Sequence, residues 1–309
     1  MRKLRLGTRG SKLALWQADC VAGEIHKLLP ELNIEIVIIK TTGDKILDVA
    51  LSKIGDKGLF TREIENSLLS GEIDLAVHSM KDLPSFLAPG LTLGAVLKRE
   101  NPQDVFISHK NYTLTSLPRH ALVGTSSLRR IAQLRALRPD LRMVDLRGNV
   151  ETRIKKMQEQ DLDGIVLAYA GVKRLGFSGQ ISEIISTDLM LPAVGQGAIA
   201  IELRAEDYET YKVITTINDH HTNLATKSER ALLRELEGGC QVPIASLAQI
   251  KGDQIYLEGL VASMDGQILI KGVQSGHLDQ AAEIGRLLAQ NLLARGADSI
   301  LEEIKRLGE

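Results

Sequence analysis

The segment Ile73–Pro84, IDLAVHSMKDLP, decides how the chain is read. Its first five residues, Ile73–Val77, form a short apolar run that reads as a buried strand, and Pro84 ends the polar stretch after it. In an open parallel α/β sheet, ligands bind outside the carboxyl ends of the strands. His78, Lys81 and Asp82 therefore stand where such a fold does its chemistry. The same residues also fit a solvated strand exit closed by a DLP turn, and residue types alone leave both possibilities open.

Toward the amino terminus the pattern is strand, helix, strand. Lys3–Leu6 reads as a strand, GTRGS as a turn, and Leu13–Leu29 as a helix with Leu13, Trp16, Val21, Ile25 and Leu28 on its apolar face. Arg9 and Ser11 sit where a loop enters that helix, a geometry that suits an anion. It equally suits a Ser11 cap beside an Arg9 that meets a surface carboxylate. Ile34–Lys40 is a second strand, leading to TTGD and to KIGDKGLF at Lys53–Phe60, with glycines around Asp44, Lys53 and Lys57. The spacing is not that of a phosphate-binding P-loop. Thr61–Leu69 reads as a helix.

Beyond Lys98–Asp104, KRENPQD, the chain enters a second domain. Leu122–Gly124 is a short strand, and Thr125–Arg130, TSSLRR, starts a helix that runs toward Leu137 with Thr125 or Ser126 as its cap. Asp145–Arg153, DLRGNVETR, repeats the arrangement: strand edge, Gly148, and a basic helix from Asn149. If the two units adjoin, Arg129, Arg130, Arg147 and Arg153 converge on an anionic ligand that guanidinium forks would hold; otherwise they are solvent-facing basic helices. Ile165–Tyr169 is another strand, with Lys173 and Arg174 just beyond it. Leu191–Ala200, LPAVGQGAIA, returns the chain to the first domain, where Ile199–Leu203 adds a strand. His220–Glu237 is helical, and His220 and His221 lack the further ligands of a metal site. Leu247–Ile250, Ile255–Val261 and Gln267–Lys271 are antiparallel strands, and Leu278–Leu293 and Ser299–Leu307 are terminal helices.

Composition sets the outer limits. A chain of 309 residues with 44% hydrophobic and 25% charged residues and a formal net charge of −1 has no global attraction to nucleic acid or anionic membrane, and 3% aromatic residues give no stacking platform. No apolar run is long enough to span a bilayer, and the basic first residues lack a signal-peptide core. The two cysteines, Cys20 and Cys240, form neither a disulfide framework nor a zinc motif. Cys240 lies in Leu233–Leu247, LRELEGGCQVPIASL, where Gly238–Gly239 end a helix and Pro243 prevents its continuation. Held on that connection, the thiol can carry a covalent group or act as a nucleophile, but spacing alone favours packing beside the turn, as cysteine is among the most commonly buried small hydrophobes.

Six segments in order, TRGSKLALWQ, HSMKD, GTSSLRR, LRGN, LPAVGQGA and LEGGCQVP, resemble the porphobilinogen deaminase family, also called hydroxymethylbilane synthases. The resemblance implies an α/β enzyme of three domains. The first two (1–98 with 199–217, and 99–198) resemble a bilobal periplasmic-binding-protein-like fold, and the third (218–309) is a small α+β domain with an antiparallel sheet. It implies a transferase that condenses four porphobilinogen molecules, with loss of ammonia, into the linear tetrapyrrole hydroxymethylbilane. The primer is a dipyrromethane cofactor attached through a thioether to Cys240, and Asp82 is the catalytic acid. Ligand carboxylates are assigned to Arg9, Arg129, Arg130, Arg147, Arg153 and Arg174, hydrogen bonds to Ser11 and Ser127, and a cofactor or substrate contact to Lys81. Asp44, Lys53, Lys57, Phe60, Ser79, Thr125, Gly148 and Gln196 complete the implied binding set. The expected setting is a cytoplasmic monomer with no metal, nucleic-acid, membrane or obligate protein partner. Two positions depart from the family pattern: Thr42 stands where an arginine is common, and Gly10 where a larger polar residue is common.

Overall fold

The computed structural model describes residues 3–45, 61–237 and 242–308. The chain opens with β1 (Lys3–Thr8), α1 (Lys12–Leu28), β2 (Asn33–Ile38), α2 (Thr42–Lys45), α3 (Arg62–Leu69), β3 (Leu75–Ser79) and β4 (Leu91–Val96). It continues through β5 (Asp104–Ile107), β6 (Leu122–Gly124), α4 (Leu128–Leu137), β7 (Arg142–Val144), α5 (Val150–Glu159), β8 (Gly164–Ala168), α6 (Tyr169–Arg174) and β9 (Glu183–Ile184). Last come β10 (Ile199–Arg204), α7 (Tyr208–Thr215), α8 (His220–Glu235), β11 (Ile244–Lys251), β12 (Gln254–Ala262), β13 (Leu269–His277), α9 (Ala281–Leu292) and α10 (Asp298–Gly308).

These strands form two five-stranded sheets, ordered β2-β1-β3-β10-β4 and β7-β6-β8-β5-β9, and a three-stranded sheet, β11-β12-β13. In each large sheet three neighbouring strands run parallel, while β10 and β5 pair antiparallel with their neighbours. The two lobes therefore share one plan, the expected bilobal α/β arrangement. Strand β10 reaches the first lobe only after the chain has completed the second sheet, and it lies between β3 and β4. Its pairing with His78 and Ser79 carries β3 two residues past the expected end at Val77.

Apolar side chains cover both faces of each sheet, as parallel strands require. In the first lobe Leu4, Leu6, Leu75 and Val77 meet Ala18, Val21 and Ile25 of α1, while Ile64 and Leu68 of α3 cover Ile73 and Ala76 on the opposite face. In the second, Phe106, Val123 and Val166 pack with Leu134, and Val105, Ile165 and Leu167 pack with Ile154 and Met157. The buried stripe of α1 is Gln17, Ala18, Val21 and Ile25. Leu28 and Trp16, expected on that stripe, are 54% and 39% exposed. The stripe is turned about the helix axis because Leu13 faces the second lobe, where a Cβ on Gly171 of α6 would lie 3.7 Å from Leu13 Cδ2.

The antiparallel sheet packs against α8 and α9 through Leu232, Leu257, Val261, Leu288 and Leu292. Its other face, with Ala245, Leu247, Leu260 and Ala262, meets Ala132 of α4 and Leu191. Strands β11 and β12 extend beyond the expected segments, since they pair continuously from Ile244↔Val261 to Lys251↔Gln254 across a turn in which Gly252 has φ +62°; β13 starts two residues after the expected Gln267 and runs on to His277, paired with Gln254. Helix α8 links the units. Its buried Glu229 accepts from Gly195 N at 2.7 Å, from Ala248 N at 2.8 Å and from the Arg99 guanidinium.

Candidate active site

A cavity of about 510 Å³ opens between the two lobes. Arg9, Ser11, Lys12 and Leu13 come from the end of β1 and the start of α1, and Ser79, Lys81 and Asp82 from the end of β3. Ser126, Arg130, Arg147, Gly148, Asn149, Glu151, Arg153 and Arg174 come from the ends of β6, β7 and β8 and the helices beyond them. Every one of these strands presents its carboxyl end, as the position of the HSMKD segment implies.

Asp82 closes a single 3-10 turn, Met80–Asp82, whose closing bond runs from Leu83 N to Met80 O at 3.2 Å. The turn is held from behind by the crossover segment. Met80 N donates to Ala198 O at 3.0 Å, and a Cβ on Gly195, which has φ +70°, would lie 2.3 Å from Met80 Cγ. Gly197 likewise has φ +90° and has Glu100 O where a Cβ would stand. The two glycines of LPAVGQGA are thus required by close approach as well as by backbone sign. Beside Asp82, Ser79 accepts a hydrogen bond from Gln17 Nε2 at 2.9 Å.

The cations form two layers. Behind the cavity wall, Asp104 is fully buried and accepts from Arg129 Nη1 at 2.7 Å, Arg130 Nη2 at 2.7 Å and Gln196 Nε2 at 2.9 Å. Burial alone would raise the Asp104 carboxyl, but the charges and hydrogen bonds of Arg129 and Arg130 outweigh it and hold the group well below the usual carboxylate range. Toward the opening lie Lys81, Arg147, Arg153 and Arg174. Burial lowers the Lys81 ammonium to about 8, with Asp82 opposing and Arg130 adding to the fall. Burial, with Arg130 next, brings Arg153 down to about 10, and Arg153 Nε donates to Gly148 O at 2.7 Å. Arg174 donates to Gly197 O at 2.8 Å and lies over the Trp16 ring at 5.4 Å; its burial pulls it below the ordinary arginine value. Across the opening Lys12 Nζ of the first lobe meets Glu151 Oε1 of the second at 2.8 Å.

Several expected residues have other tasks. Arg129, expected to bind a ligand carboxylate, gives its guanidinium to Asp104 and to Leu191 O and lies behind the wall. Thr125 and Gln196 are also buried there. Gln196 donates to Pro102 O at 2.7 Å and accepts from Lys81 Nζ at 3.5 Å. Neither Thr125 nor Ser126 caps α4. Ser127 holds the cap position without a side-chain bond, and Ser126 Oγ instead donates to Leu146 O and accepts from Leu146 N, tying the two basic loops together. Ser11 caps α1 by accepting from Ala14 N at 3.2 Å while also lining the cavity. Thr42 binds Glu63 through its backbone N and its hydroxyl. His78 is turned into the first lobe, 3.1 Å from buried Glu202. Asp44 belongs to the short α2 turn; Lys53, Lys57, Phe60 and Cys240 lie outside the described residues. Asp104 escaped the sequence reading because nothing in KRENPQD signals two arginines arriving 25 and 26 residues later. Among the described residues no cluster of His, Cys, Asp and Glu is arranged to hold a metal ion, and no helix is long and apolar enough to cross a membrane.

Residues 4–212 match "Porphobilinogen deaminase, dipyromethane cofactor binding domain", and residues 223–294 match "Porphobilinogen deaminase, C-terminal domain". The chain belongs to the porphobilinogen deaminase family. Relatives named porphobilinogen deaminase are 60% identical in Syntrophomonas wolfei, over 99% of this chain and 100% of that one, and 54% identical in Carboxydothermus hydrogenoformans, over 99% and 98%. Among solved structures, the periplasmic aliphatic sulphonate binding protein SsuA from Escherichia coli superposes with a TM-score of 0.41 at 18% identity, over 77% of this chain and 71% of that one, too loosely to place any residue. The arginine layers and Asp82 fall within residues 4–212 of the first match, and the third sheet falls within residues 223–294 of the second.

Proposed function

We propose that the chain condenses four molecules of porphobilinogen, with loss of ammonia, onto a dipyrromethane primer carried by Cys240, and releases hydroxymethylbilane by hydrolysis. One observation carries this reading: a cavity on a protein of net charge −1 gathers Arg9, Lys81, Arg130, Arg147, Arg153 and Arg174 around the carboxylate of Asp82. Each substrate ring bears an acetate and a propionate, so a growing chain accumulates negative charge that these side chains neutralise. The donor set therefore fits a dipyrromethane, whose carboxylates Arg9, Arg130, Arg147, Arg153 and Lys81 would hold, and the volume lies in the range of small-molecule sites. When bound, the primer supplies the nucleophilic pyrrole carbon for the first addition.

The protein's own part is orientation and proton handling. Guanidinium forks fix carboxylates at two points and so fix the ring plane, which restricts encounters to productive ones. Asp82 accepts hydrogen bonds from pyrrole N–H groups and moves protons as ammonia leaves and the ring regains aromaticity. The conjugate positive charge that develops beside it is stabilised by its carboxylate. Arg129 acts from behind by keeping Asp104, and with it Arg130, in place. Asp44, Lys53, Lys57, Phe60 and Ser127 complete the proposed binding set, and Gln196 acts from behind the wall through Asp104 and Lys81. The proposed division into 1–98 with 199–217, 99–198 and 218–309 is supported by each sheet falling within one range. A cytoplasmic monomer belongs to the same proposal.

Intact mass under denaturing conditions, with peptide localisation and a turnover assay, tests it. The expected result is an adduct of two porphobilinogen units less their ammonias on the Cys240 peptide, together with bilane formation. A bare Cys240 and no bilane in substrate-supplied protein would overturn it in favour of a noncatalytic polyanion-binding protein.

A further inference from the structure

The exit of the Asp82 turn is gripped by two arginines of α8. Residues 83–90 form no regular element, and Pro84 has no amide proton to give. Arg230, only 3% exposed, donates from Nη2 to Pro84 O at 2.7 Å and to Ser85 O at 3.2 Å. Arg234 donates from Nε to Ser85 O at 2.6 Å and sets its guanidinium 5.7 Å from the ring centre of Phe86. Burying a guanidinium whose hydrogen bonds go to backbone carbonyls is a costly way to fill space, because an apolar side chain would pack there without the desolvation. Arg230 Nε is itself buried without a partner; buried Glu202 attracts the guanidinium charge, while Pro84 O and Ser85 O on the turn exit accept its hydrogen bonds. The neighbouring Glu229 holds the opposite side of the same turn through Gly195 N. Helix α8 ends at Glu235, five residues before Cys240.

We infer that Arg230 and Arg234 are positioning residues: they lock the turn that carries Asp82 to α8, the helix that precedes the primer cysteine in the sequence, so that the acid keeps a fixed position against that helix. This rests on the function proposed above. It also gives α8 a role in the reaction beyond packing the third sheet, since displacing an acid by about 1 Å costs on the order of 100-fold in rate.

Arg234→Ala, Arg230→Lys and Arg230→Met, each loaded with primer, test it. Expected are unchanged primer mass on Cys240, kcat lowered about 10- to 100-fold with KM within about twofold for Arg234→Ala and Arg230→Met, and partial recovery in Arg230→Lys. Hydrogen exchange of the Leu83 amide, read independently of activity, should quicken at least about tenfold in Arg234→Ala, a surface change that leaves the fold intact. A folded Arg234→Ala protein with wild-type kcat and wild-type exchange at Leu83 would overturn the inference. So would a rise in KM at constant kcat, which would make these arginines ligand contacts. If wild-type protein bears no primer and makes no bilane, the functional reading fails, while the exchange result still decides whether the two arginines hold the turn.

Discussion

Asp104 shows how one carboxylate can govern a cationic site it does not touch from the front. Replacing it by asparagine removes the charge that two buried guanidiniums share. Asp104→Asn is expected to destabilise the protein by about 3–5 kcal/mol, read as a lower denaturation midpoint, and to weaken substrate binding as Arg130 loses its anchor. The sign with pH comes from its lowered value. A carboxyl depressed in the folded state adds stability that is present above its unfolded value of about 3.9 and is lost as pH falls further. Wild-type stability should therefore fall more steeply below about pH 4 than that of Asp104→Asn, measured by denaturant titration across pH. Lys81 gives the alkaline counterpart. Its ammonium is held near 8, so the ligand-carboxylate contact proposed for it would be present below that pH and lost above it. The kcat/KM of the wild type should fall as pH rises through about 8, and Lys81→Arg should move that limb upward, because kcat/KM reports the free enzyme. Residue types in HSMKD and LRGNVETR pointed to the cavity, since strand ends and helix starts are marked locally by glycine and caps. The partners of Arg129 and Arg130 were not legible, because an ion pair formed through tertiary folding leaves no local trace.

At the scale of elements, the sequence carried types and order well and orientation less well. Strand β6 falls on the expected Leu122–Gly124, and α5 begins after Asn149 as its cap chemistry requires. The expected face of α1 holds at Val21 and Ile25 but not at its start, because Leu13 and Trp16 are apolar residues spent on the neighbouring lobe instead of on the sheet beneath. Helix α5 offers a direct test of local control over the site. Asn149 Oδ1 accepts from Thr152 N at 2.9 Å, one turn before Arg153. Asn149→Ala should cost about 1 kcal/mol of stability and raise KM more than it lowers kcat, as the start of the helix frays around Gly148 and Arg153. Thermal denaturation and steady-state kinetics on the same preparation would measure both; an unchanged KM would separate the cap from ligand binding.

Across the whole molecule the two lobes meet over the cavity through contacts of unequal strength. The Lys12–Glu151 pair is solvent-exposed, worth roughly 0–1 kcal/mol, and screened by salt. Opening the lobes along this edge therefore costs little, as a site serving a lengthening chain needs. Joining cysteines introduced at positions 12 and 151 with a short thiol linker should preserve the first addition and arrest later ones, visible as accumulated intermediates in the mass spectrum of the enzyme. Complete turnover in the linked protein would show that growth needs no large lobe movement. The placement of β10 has its own consequence during synthesis on the ribosome. The second sheet uses strands from Asp104 to Ile184 and can close as soon as they emerge, whereas the first lacks an interior strand until Ile199–Arg204 has left the tunnel. The lobe made first is thus the lobe completed last, and its unpaired β3 and β4 edges are the nascent chain's most exposed sites for mispairing and for chaperone capture.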